Sequence, residues 1–346
     1  MSGKQTSGKE SRLSNMTRRQ AVKMGIGASG LATLAGCMGG DGSSGGTTIT
    51  MASVMEEGTS LVYAGKQFKD RIEEESDGDI TVEFSYGGSY GSETETFDLM
   101  NQGAVDMYTG GSDAYDMHAP EYYFFNSPYV LDSFEHQQRI MQSDQFQEEV
   151  YPALEEAGIK VAGPRVYRGM RHYTSNEPVR TPEDVQGMDL RLPSHDSWVK
   201  AWEAVGASPS PVSLDELYSG LQQGVVEASE GPPAQIASLS LWEVQDYYSK
   251  TSHLPQSGQM YVSTSFYEGL DQSQQDMIDE IVTEVSEEAT QWARDSEEEL
   301  LTQASENGME IIEDVDSEAF YEAAAPAIEQ LFEETYAGSW EDWRNI

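Results

Sequence analysis

Arginine residues are concentrated in one short stretch of an otherwise acidic chain. Nine arginines follow residue 37, and five of them lie between residues 165 and 191: Arg165, Arg168, Arg171, Arg180 and Arg191. A guanidinium pairs bidentately with a carboxylate and keeps its charge at physiological pH. The stretch is therefore a candidate site for a carboxylate ligand, and pairing with the abundant surface acids is the competing interpretation.

Arg191 has the most informative position of the five. The apolar residues Met188, Leu190 and Leu192 alternate with two charged ones, which predicts a strand that ends before Pro193. In such a strand Arg191 points away from the core. It also stands at the carboxyl end of the strand, where open α/β sheets bind their ligands.

Other motifs give no support for enzyme chemistry. The five histidines lack the H-E-x-x-H spacing of zinc enzymes, and the glycine-rich loop at residues 86–91 lacks a complete dinucleotide or phosphate motif. Trp198 and Trp202 lie four apart on a predicted helix, which favours core packing over a stacking platform. We therefore predict no cofactor, no metal site and no catalytic residue.

Strand and helix patterns take turns along the folded part of the chain. Strands are predicted near residues 49–54, 80–86, 104–109 and 160–163, and helices near residues 60–75, 93–101 and 135–157. Strands separated by helices imply parallel βαβ units and an α/β sheet. The predicted fold class is therefore α/β.

One predicted helix is much longer than the others. It covers residues 273–307 and aligns Met277, Ile281, Val285, Ala289 and Trp292 along one stripe. At 1.5 Å per residue it would reach about 50 Å, which is too long for one small domain. We expect it to brace two lobes.

The charge of the chain excludes one class of partner. The 346 residues include 20 Lys and Arg against 61 Asp and Glu, a net charge of -41, which would repel nucleic acid. A hydrophobic content of 38% still predicts a packed globule. Acids spread over nearly every helix are typical of a halophilic protein, since the Debye length is about 3 Å at 1 M salt.

The first 37 residues have the layout of an export signal. Arg18 and Arg19 precede an apolar stretch at residues 24–35 that is too short to span a membrane, and they resemble a twin-arginine signal. The following Leu34-Ala35-Gly36-Cys37 resembles a lipobox, so Cys37 is predicted to be lipidated. Residues 38–48 are predicted to form a flexible Gly/Ser-rich tether.

A series of short motifs resembles one protein family. They are GMRHYTSN at residues 169–176, PED at 182–184, RLP at 191–193, GASP at 206–209 and LDELY at 214–218, with Glu230 further on. In this order they are similar to the core signature of the solute-binding proteins of TRAP (tripartite ATP-independent periplasmic) transporters, of the DctP type. Weaker similarity extends over almost all of residues 48–305.

The resemblance implies a two-lobed, periplasmic-binding-protein-like fold. Each lobe would be a sheet flanked by helices, with hinge strands between the lobes and the long helix across them. Lobe I would comprise residues 49–168 and 257–296, and lobe II residues 169–256 and 297–346.

The resemblance also implies which residues bind the ligand. Arg191, in the Arg-x-Pro motif, would pair with the ligand carboxylate, and Arg171 matches a second arginine of the family's cleft. The remaining implied lining positions are Tyr90, Ser92, Glu93, Gly111 and Ser194, together with Leu214 and Gly231. At these last two positions the chain departs from sialic-acid binders, which argues against sialic acid.

The function implied is the capture of a small organic carboxylate for membrane permease subunits. The protein would sit outside the cytoplasmic membrane, held to its outer face by the lipid on Cys37. Two alternatives stay open from the sequence: an extracellular enzyme that acts on a carboxylated substrate, and a sensory receptor of the same fold.

Overall fold

Nine strands and twelve α-helices alternate along residues 46–346, the part of the chain that this computed structural model describes. The predicted export signal, Cys37 and most of the predicted tether lie outside the described residues. The strands are β1 (Thr47–Ala52), β2 (Ile80–Ser85), β3 (Met107–Gly110), β4 (Ile159–Ser175), β5 (Asp189–Leu192), β6 (Ser208–Pro211), β7 (Ser229–Gly231), β8 (Tyr247–Ser263) and β9 (Glu310–Ile312).

The helices follow the strands in a regular alternation that confirms the predicted α/β class. They are α1 (Ser60–Glu75), α2 (Glu93–Asn101), α3 (Asp113–His118), α4 (Phe134–Met141), α5 (Tyr151–Glu156), α6 (Asp196–Val205), α7 (Leu217–Gln222), α8 (Pro233–Ser238), α9 (Thr264–Gly269), α10 (Gln272–Glu306), α11 (Ser317–Glu334) and α12 (Trp340–Arg344). Within these residues, no helix combines the length and the hydrophobicity needed to cross a bilayer.

The main sheet is mixed rather than parallel throughout. Its strand order is β2-β1-β3-β8-β4-β7, and β9 pairs with β8 beside this path. Strand β1 is parallel to β2 and β3, but β8 is antiparallel to both β3 and β4. The prediction of parallel units is therefore wrong at the centre of the sheet, because β8 returns from the opposite end after the excursion over residues 176–246. Strands β5 and β6 form a separate parallel pair.

The helix predicted at residues 135–157 is interrupted. Helix α4 ends at Met141, a π-helical turn covers Phe146–Val150, and α5 begins at Tyr151. Pro152 lies in the first turn of α5, directly after the π-helical turn, and it has no backbone N–H to donate to that turn. The strand predicted at residues 160–163 is instead the first part of the 17-residue strand β4.

Side chains on the two faces of the main sheet belong to two apolar clusters. Met51 and Met107 pack against α1 and α10, whereas Ala52 and Tyr108, the next residues along each strand, pack on the opposite face. This is the period-two alternation of a strand that is buried on both sides. A third cluster lies around β5, α6 and α11, and a fourth around α7, α8 and the end of α10.

Strands β4 and β8 and helix α10 connect these clusters. In β4, Val166 belongs to the cluster under α1 and Tyr173 to the cluster around β5 and α6. Helix α10, predicted within one residue at each end, has Ile281 in the first of these clusters and Ala304 in the fourth. The predicted lobe boundaries fall inside β4, β8 and α10, and the assignment of residues to each lobe stays a prediction. Part of the segment after residue 327 packs against residues 122–154.

Candidate ligand-binding site

A cavity of about 950 Å³ lies where two groups of parallel strands end. The segments that follow β1, β2 and β3 form one wall, and the segments that follow β5 and β6 form the opposite wall. This is the edge at which open α/β sheets bind ligands. Charged and polar side chains that line it include Glu93, Asp113, Asp116, Arg168, Arg171, Arg191, His195 and Gln256.

Glu93 is oriented on the first wall by the start of α2. Ser92 caps this helix, and its backbone N–H donates to the Glu95 carboxylate at 2.8 Å in a capping box. The Glu93 carboxylate accepts from the N–H groups of Gly111 at 2.8 Å and Asp113 at 2.9 Å, and from one tyrosine hydroxyl. These donors hold Glu93 against the backbone that follows β3.

Arg191 reaches the cavity from the end of β5 without a carboxylate partner. Its residue is 3% exposed, and its Nε donates to the Val212 carbonyl at 2.8 Å. Among residues 46–346, no carboxylate oxygen lies within 4.0 Å of its guanidinium. Leu190 and Leu192 are fully buried in the cluster behind it, as the alternation predicted. The two terminal nitrogens of Arg191 are thus left for a ligand.

Burial governs the ionisation of Arg191. Desolvation and the charge of Arg171 lower the pKa of its guanidinium to about 10, against the opposing charges of Glu230 and Asp215. Arg191 therefore remains a cation at neutral pH. A buried cation without a paired anion is costly, so a bound anion would offset that cost.

Arg171 is paired inside the protein. Its Nε and Nη2 donate to the two carboxylate oxygens of Glu230, Nη2 also donates to the Glu230 carbonyl at 2.9 Å, and Nη1 donates to Gln256. The guanidinium lies 4.9 Å from the ring centre of Trp198. Burial raises the pKa of Glu230, but Arg171 and His253 outweigh this and lower it to about 2. Arg171 thus contributes little uncompensated charge to the cavity.

His195 joins the two walls. Its Nδ1 lies 3.2 Å from Asp116 Oδ2, and its Nε2 lies 3.5 Å from Asp113 Oδ1. His195 follows β5, whereas both aspartates belong to α3. The contact therefore connects segments that are 79 or more residues apart in the chain.

The structure brings together seven of the nine predicted ligand-binding residues. Those lining the cavity are Ser92, Glu93, Gly111, Arg171, Arg191, Ser194 and Leu214, whereas Tyr90 and Gly231 are not among its lining residues. Tyr90 is half-buried against the cluster around Tyr108 and Tyr261. Gly231 pairs with His172 in the sheet, and a Cβ there would lie 2.7 Å from Gln235 Nε2.

Several other residues that line the cavity were not among the nine predicted ligand-binding residues. Arg168, His195 and Gln256 line the cavity, and so does Trp198, which is also buried in the core as predicted. Arg168 could have been singled out, because it lies in the arginine-rich stretch. Nothing in the local pattern marks the other three.

A second cavity of about 430 Å³ lies beside Arg165. The Arg165 guanidinium donates to Ser257 at 2.6 Å, to Ser112 at 2.6 Å and to Gln259 at 3.2 Å. Because all three of its nitrogens have acceptors, Arg165 offers much less to a ligand than Arg191 does. Across residues 46–346, no group of three or more His, Cys, Asp or Glu side chains is placed to hold a metal ion.

A two-walled cavity that contains a buried arginine without a carboxylate partner suits the binding of a small anionic solute. Residues 51–335 match the family described as bacterial extracellular solute-binding protein, family 7 (DctP). The chain belongs to this family.

Known proteins similar to the chain agree with that assignment. A solute-binding protein of Roseobacter denitrificans is 31% identical over 209 residues, covering 60% of this chain and 63% of that protein, which is less than two thirds of its length. Its crystal structure with bound L-galactonate has a TM-score of 0.76, with 27% identity over 84% of this chain and 97% of the other.

Two further solute-binding proteins are similar to this chain. A TRAP periplasmic solute-binding protein of Actinobacillus succinogenes with bound L-galactonate has a TM-score of 0.81, at 26% identity, covering 86% of this chain and 98% of that one. The sialic acid-binding periplasmic protein of Vibrio cholerae is 27% identical over 245 residues, covering 71% of this chain and 76% of that protein. The two-lobed fold and the solute-binding family are thereby established.

Proposed function

We propose that this protein is the extracytoplasmic receptor of a TRAP-type transporter, and that it captures a small organic carboxylate through Arg191. The observation that carries the proposal is the buried Arg191 guanidinium, which meets no carboxylate among residues 46–346 although the chain has 61 acidic residues. Acid sugars bound by the Roseobacter and Actinobacillus relatives support the ligand class.

Capture would end with closure of the two walls around the ligand. The walls are carried by segments that β4, β8 and α10 connect, so bending within the two long strands would change their separation. Closure excludes water, and a charge-assisted hydrogen bond contributes about 1.5 to 3 kcal/mol net under such conditions. The ligand would then be delivered unchanged to the permease.

Within residues 46–346, one run fits a nucleophile motif, and it gives the alternative of an extracellular enzyme little support. Residues 87–91 have the Gly-x-Ser-x-Gly spacing. The Ser89 hydroxyl, however, donates to the Tyr86 carbonyl at 3.1 Å, and no histidine among residues 46–346 hydrogen-bonds to it. Without a base, this serine would not be activated. Recovery of a bound acid sugar in altered form would revive the enzyme hypothesis.

Thermal-shift measurements with sugar acids in 2 M KCl test the proposal. We expect Arg191→Ala to weaken carboxylate binding by about 2 to 5 kcal/mol, because one partner of a shielded charge pair is lost. Arg180→Ala is the matched control, since Arg180 is 42% exposed and pairs with Asp314 at 3.2 Å outside the cavity. Equal carboxylate affinity in the two variants would remove Arg191 from the site.

Membrane attachment is a separate part of the proposal. It depends on the predicted signal and on Cys37, which lie outside the described residues. Cys37→Ser should release the exported protein from the membrane fraction of the cells that make it. Retention of the variant at the level of the unchanged protein would exclude a lipid anchor at this position.

A further inference from the structure

His195 places its imidazole ring between two carboxylates of the opposite wall of the cavity. Its Nδ1 lies 3.2 Å from Asp116 Oδ2, and its Nε2 lies 3.5 Å from Asp113 Oδ1. A neutral imidazole has one N–H and would present a lone pair to one of these carboxylates, whereas an imidazolium presents an N–H to each. The geometry therefore suits the charged form of His195.

The local structure does not account for a histidine at this position. His195 directly precedes α6, yet its side chain makes no capping hydrogen bond to the start of that helix. Ser, Thr, Asp and Asn are favoured at such a position, and the helix dipole opposes a cation there. The partners of His195 lie instead on α3, across the cavity. The contact between the walls therefore explains the residue better than the stability of α6 does.

Acidic groups from several elements surround His195. Its titratable neighbours are Glu93 on α2, Asp113 and Asp116 on α3, Tyr123 in the turn at Pro120–Asn126, and Asp196 beside it in the chain. Burial lowers the pKa of His195, but the hydrogen bond to Asp116 and the charges of Asp113 and Glu93 outweigh this and raise it. Arg168 acts on the same cluster with a positive charge and lowers the pKa of Asp113.

This pairing depends on the distance between the walls. The side chain of His195 is 12% exposed and that of Asp116 is 40% exposed, so water would surround both if the walls moved apart. Solvated charges are screened within about 3 Å at 1 M salt. The pKa of His195 would then return toward its ordinary value of about 6.5. At neutral pH the approach of the walls therefore takes up protons.

We propose that His195 is a proton-dependent latch, which in its charged form ties α3 to the segment after β5 and holds the two walls together over the bound ligand. The inference rests on the proposed function, in which the walls close around a carboxylate bound by Arg191. Ligand binding and proton binding then reinforce each other. The contribution of the latch to affinity is complete below about pH 6.5, and it is lost as the pH rises through the raised pKa of His195.

Calorimetric titration of the unchanged protein tests this coupling. Galactonate and glucuronate serve as probes, because their carboxylates stay ionised from pH 5.5 to 8.5. In 2 M KCl we expect the affinity for the tighter-binding probe to fall about threefold or more across this range. Binding enthalpies measured at pH 7 in buffers of different ionisation enthalpy should reveal a net uptake of protons. An affinity that does not fall, or a net release of protons, overturns the proposal.

Substitutions assign the effect to the contact between the walls. His195→Gln should remove most of the pH dependence and of the proton uptake, and Asp116→Asn should reduce both, because each removes one member of the charged pair. His136→Gln is the control: His136 Nε2 lies 2.8 Å from the Trp343 carbonyl, away from the cavity lining, and the variant should keep the pH dependence. A uniform loss of affinity at every pH in His195→Gln would indicate a merely structural role and contradict the latch.

Failure of the latch can be told apart from failure of the proposed function. A protein that binds a sugar acid through Arg191 with the same affinity at every pH retains the proposed function and loses the inference. If no sugar acid binds to the folded protein, as judged by near-UV circular dichroism, both are refuted. The comparison of pH values needs only the unchanged protein, so a variant that fails to fold does not prevent the test.

Discussion

At the scale of single residues, the cavity separates two kinds of arginine. Arg171 is held by Glu230 and Gln256, and its face lies over Trp198. Such an arginine is a fixed part of the wall, because breaking a buried ion pair by removing one partner costs about 3 to 5 kcal/mol. Within residues 46–346, Arg191 donates only to the Val212 carbonyl, so its terminal nitrogens can form new bonds. Both arginines line the cavity. Arg171 is paired inside the protein and therefore has a structural role, whereas Arg191 is unpaired and can bind a ligand.

His195 makes stability depend on pH. Burial lowers its pKa, but the hydrogen bond to Asp116 and the charge of Asp113 outweigh this and raise it above the usual value. Burial, together with the charge of Glu93, raises the pKa of Asp113 to about 7. Both groups therefore bind protons more tightly in the folded state than in the unfolded state.

The raised pKa values of Asp113 and His195 set the direction in which the stability of the fold changes with pH. By linkage, the contribution of Asp113 is complete below its unfolded pKa of about 3.9 and that of His195 below about 6.5. Each is lost as the pH rises through the corresponding folded pKa. Other charges act on this cluster, notably Arg168 on Asp113, and Glu93 on both groups. We expect the contribution of this cluster to the melting temperature to fall between about pH 6 and pH 8, whereas His172 and His253, whose pKa values burial lowers, act in the opposite direction.

The variant His195→Gln should flatten that dependence. Melting temperatures measured at constant 2 M KCl from pH 5.5 to 8.5 provide the test, with His136→Gln as a control for a histidine that is remote from the cavity lining. Parallel curves for His195→Gln and the unchanged protein would show that the cluster does not determine the pH effect.

At the scale of elements, a bulge in β4 helps to shape the site: Tyr167 pairs with Ser257 on β8 and Gly169 pairs with Gln256, so Arg168 is an extra residue between the two pairs. Gly169, the residue after Arg168, has φ +109°, a conformation that residues with a side chain rarely adopt. A Cβ at this position would lie 2.9 Å from the Pro232 Cβ. Glycine here lets the strand continue after the extra residue, and it lets the segment at Pro232 and Pro233 approach closely.

We predict that Gly169→Ala destabilises the fold by about 1 to 3 kcal/mol, because it combines backbone strain with a close contact. Ligand affinity should fall as well, since Arg168 and Arg171 flank the glycine. Gly220→Ala is a suitable control: Gly220 lies in α7, and its added Cβ would make an ordinary contact of 3.6 Å with Val226. Denaturant unfolding of both variants measures the difference, and similar losses of stability would contradict the role given to Gly169.

At the scale of the whole molecule, charge is the dominant property. Residues 1–37 contain six of the 20 basic and one of the 61 acidic residues, so their removal would change the net charge from -41 to -46. Many of the ion pairs are exposed, and such pairs contribute little each. Repulsion among the remaining acids must then oppose folding unless salt screens it.

We therefore predict that stability rises with ionic strength. The Debye length falls from about 10 Å at 0.1 M salt to about 3 Å at 1 M, which removes most repulsion between exposed carboxylates. The melting temperature should be higher in 2 M KCl than in 0.1 M KCl, and a series in NaCl at the same ionic strengths controls for the identity of the cation. An unchanged melting temperature across both series would count against adaptation to high salt.

Much of the architecture could be predicted because it depends on local sequence. Apolar periodicity located α1, α2 and α10 to within a residue, and the alternation around Arg191 predicted which of its neighbours are buried. These patterns reflect 3.6-residue and two-residue repeats, which short segments carry by themselves. The sequence by itself therefore determined the α/β class and the place of Arg191 on a strand end.

Only the tertiary structure decided what each arginine can bind. Glu230 neutralises Arg171 from 59 positions away, and the bulge that directs Arg168 into the cavity exists only in the pairing of β4 with β8. Local patterns likewise did not reveal the antiparallel direction of β8, or that Tyr90 and Gly231 are not among the residues that line the cavity. The physical reason is that charge compensation and strand register depend on contacts between distant segments, which no repeat in the chain encodes.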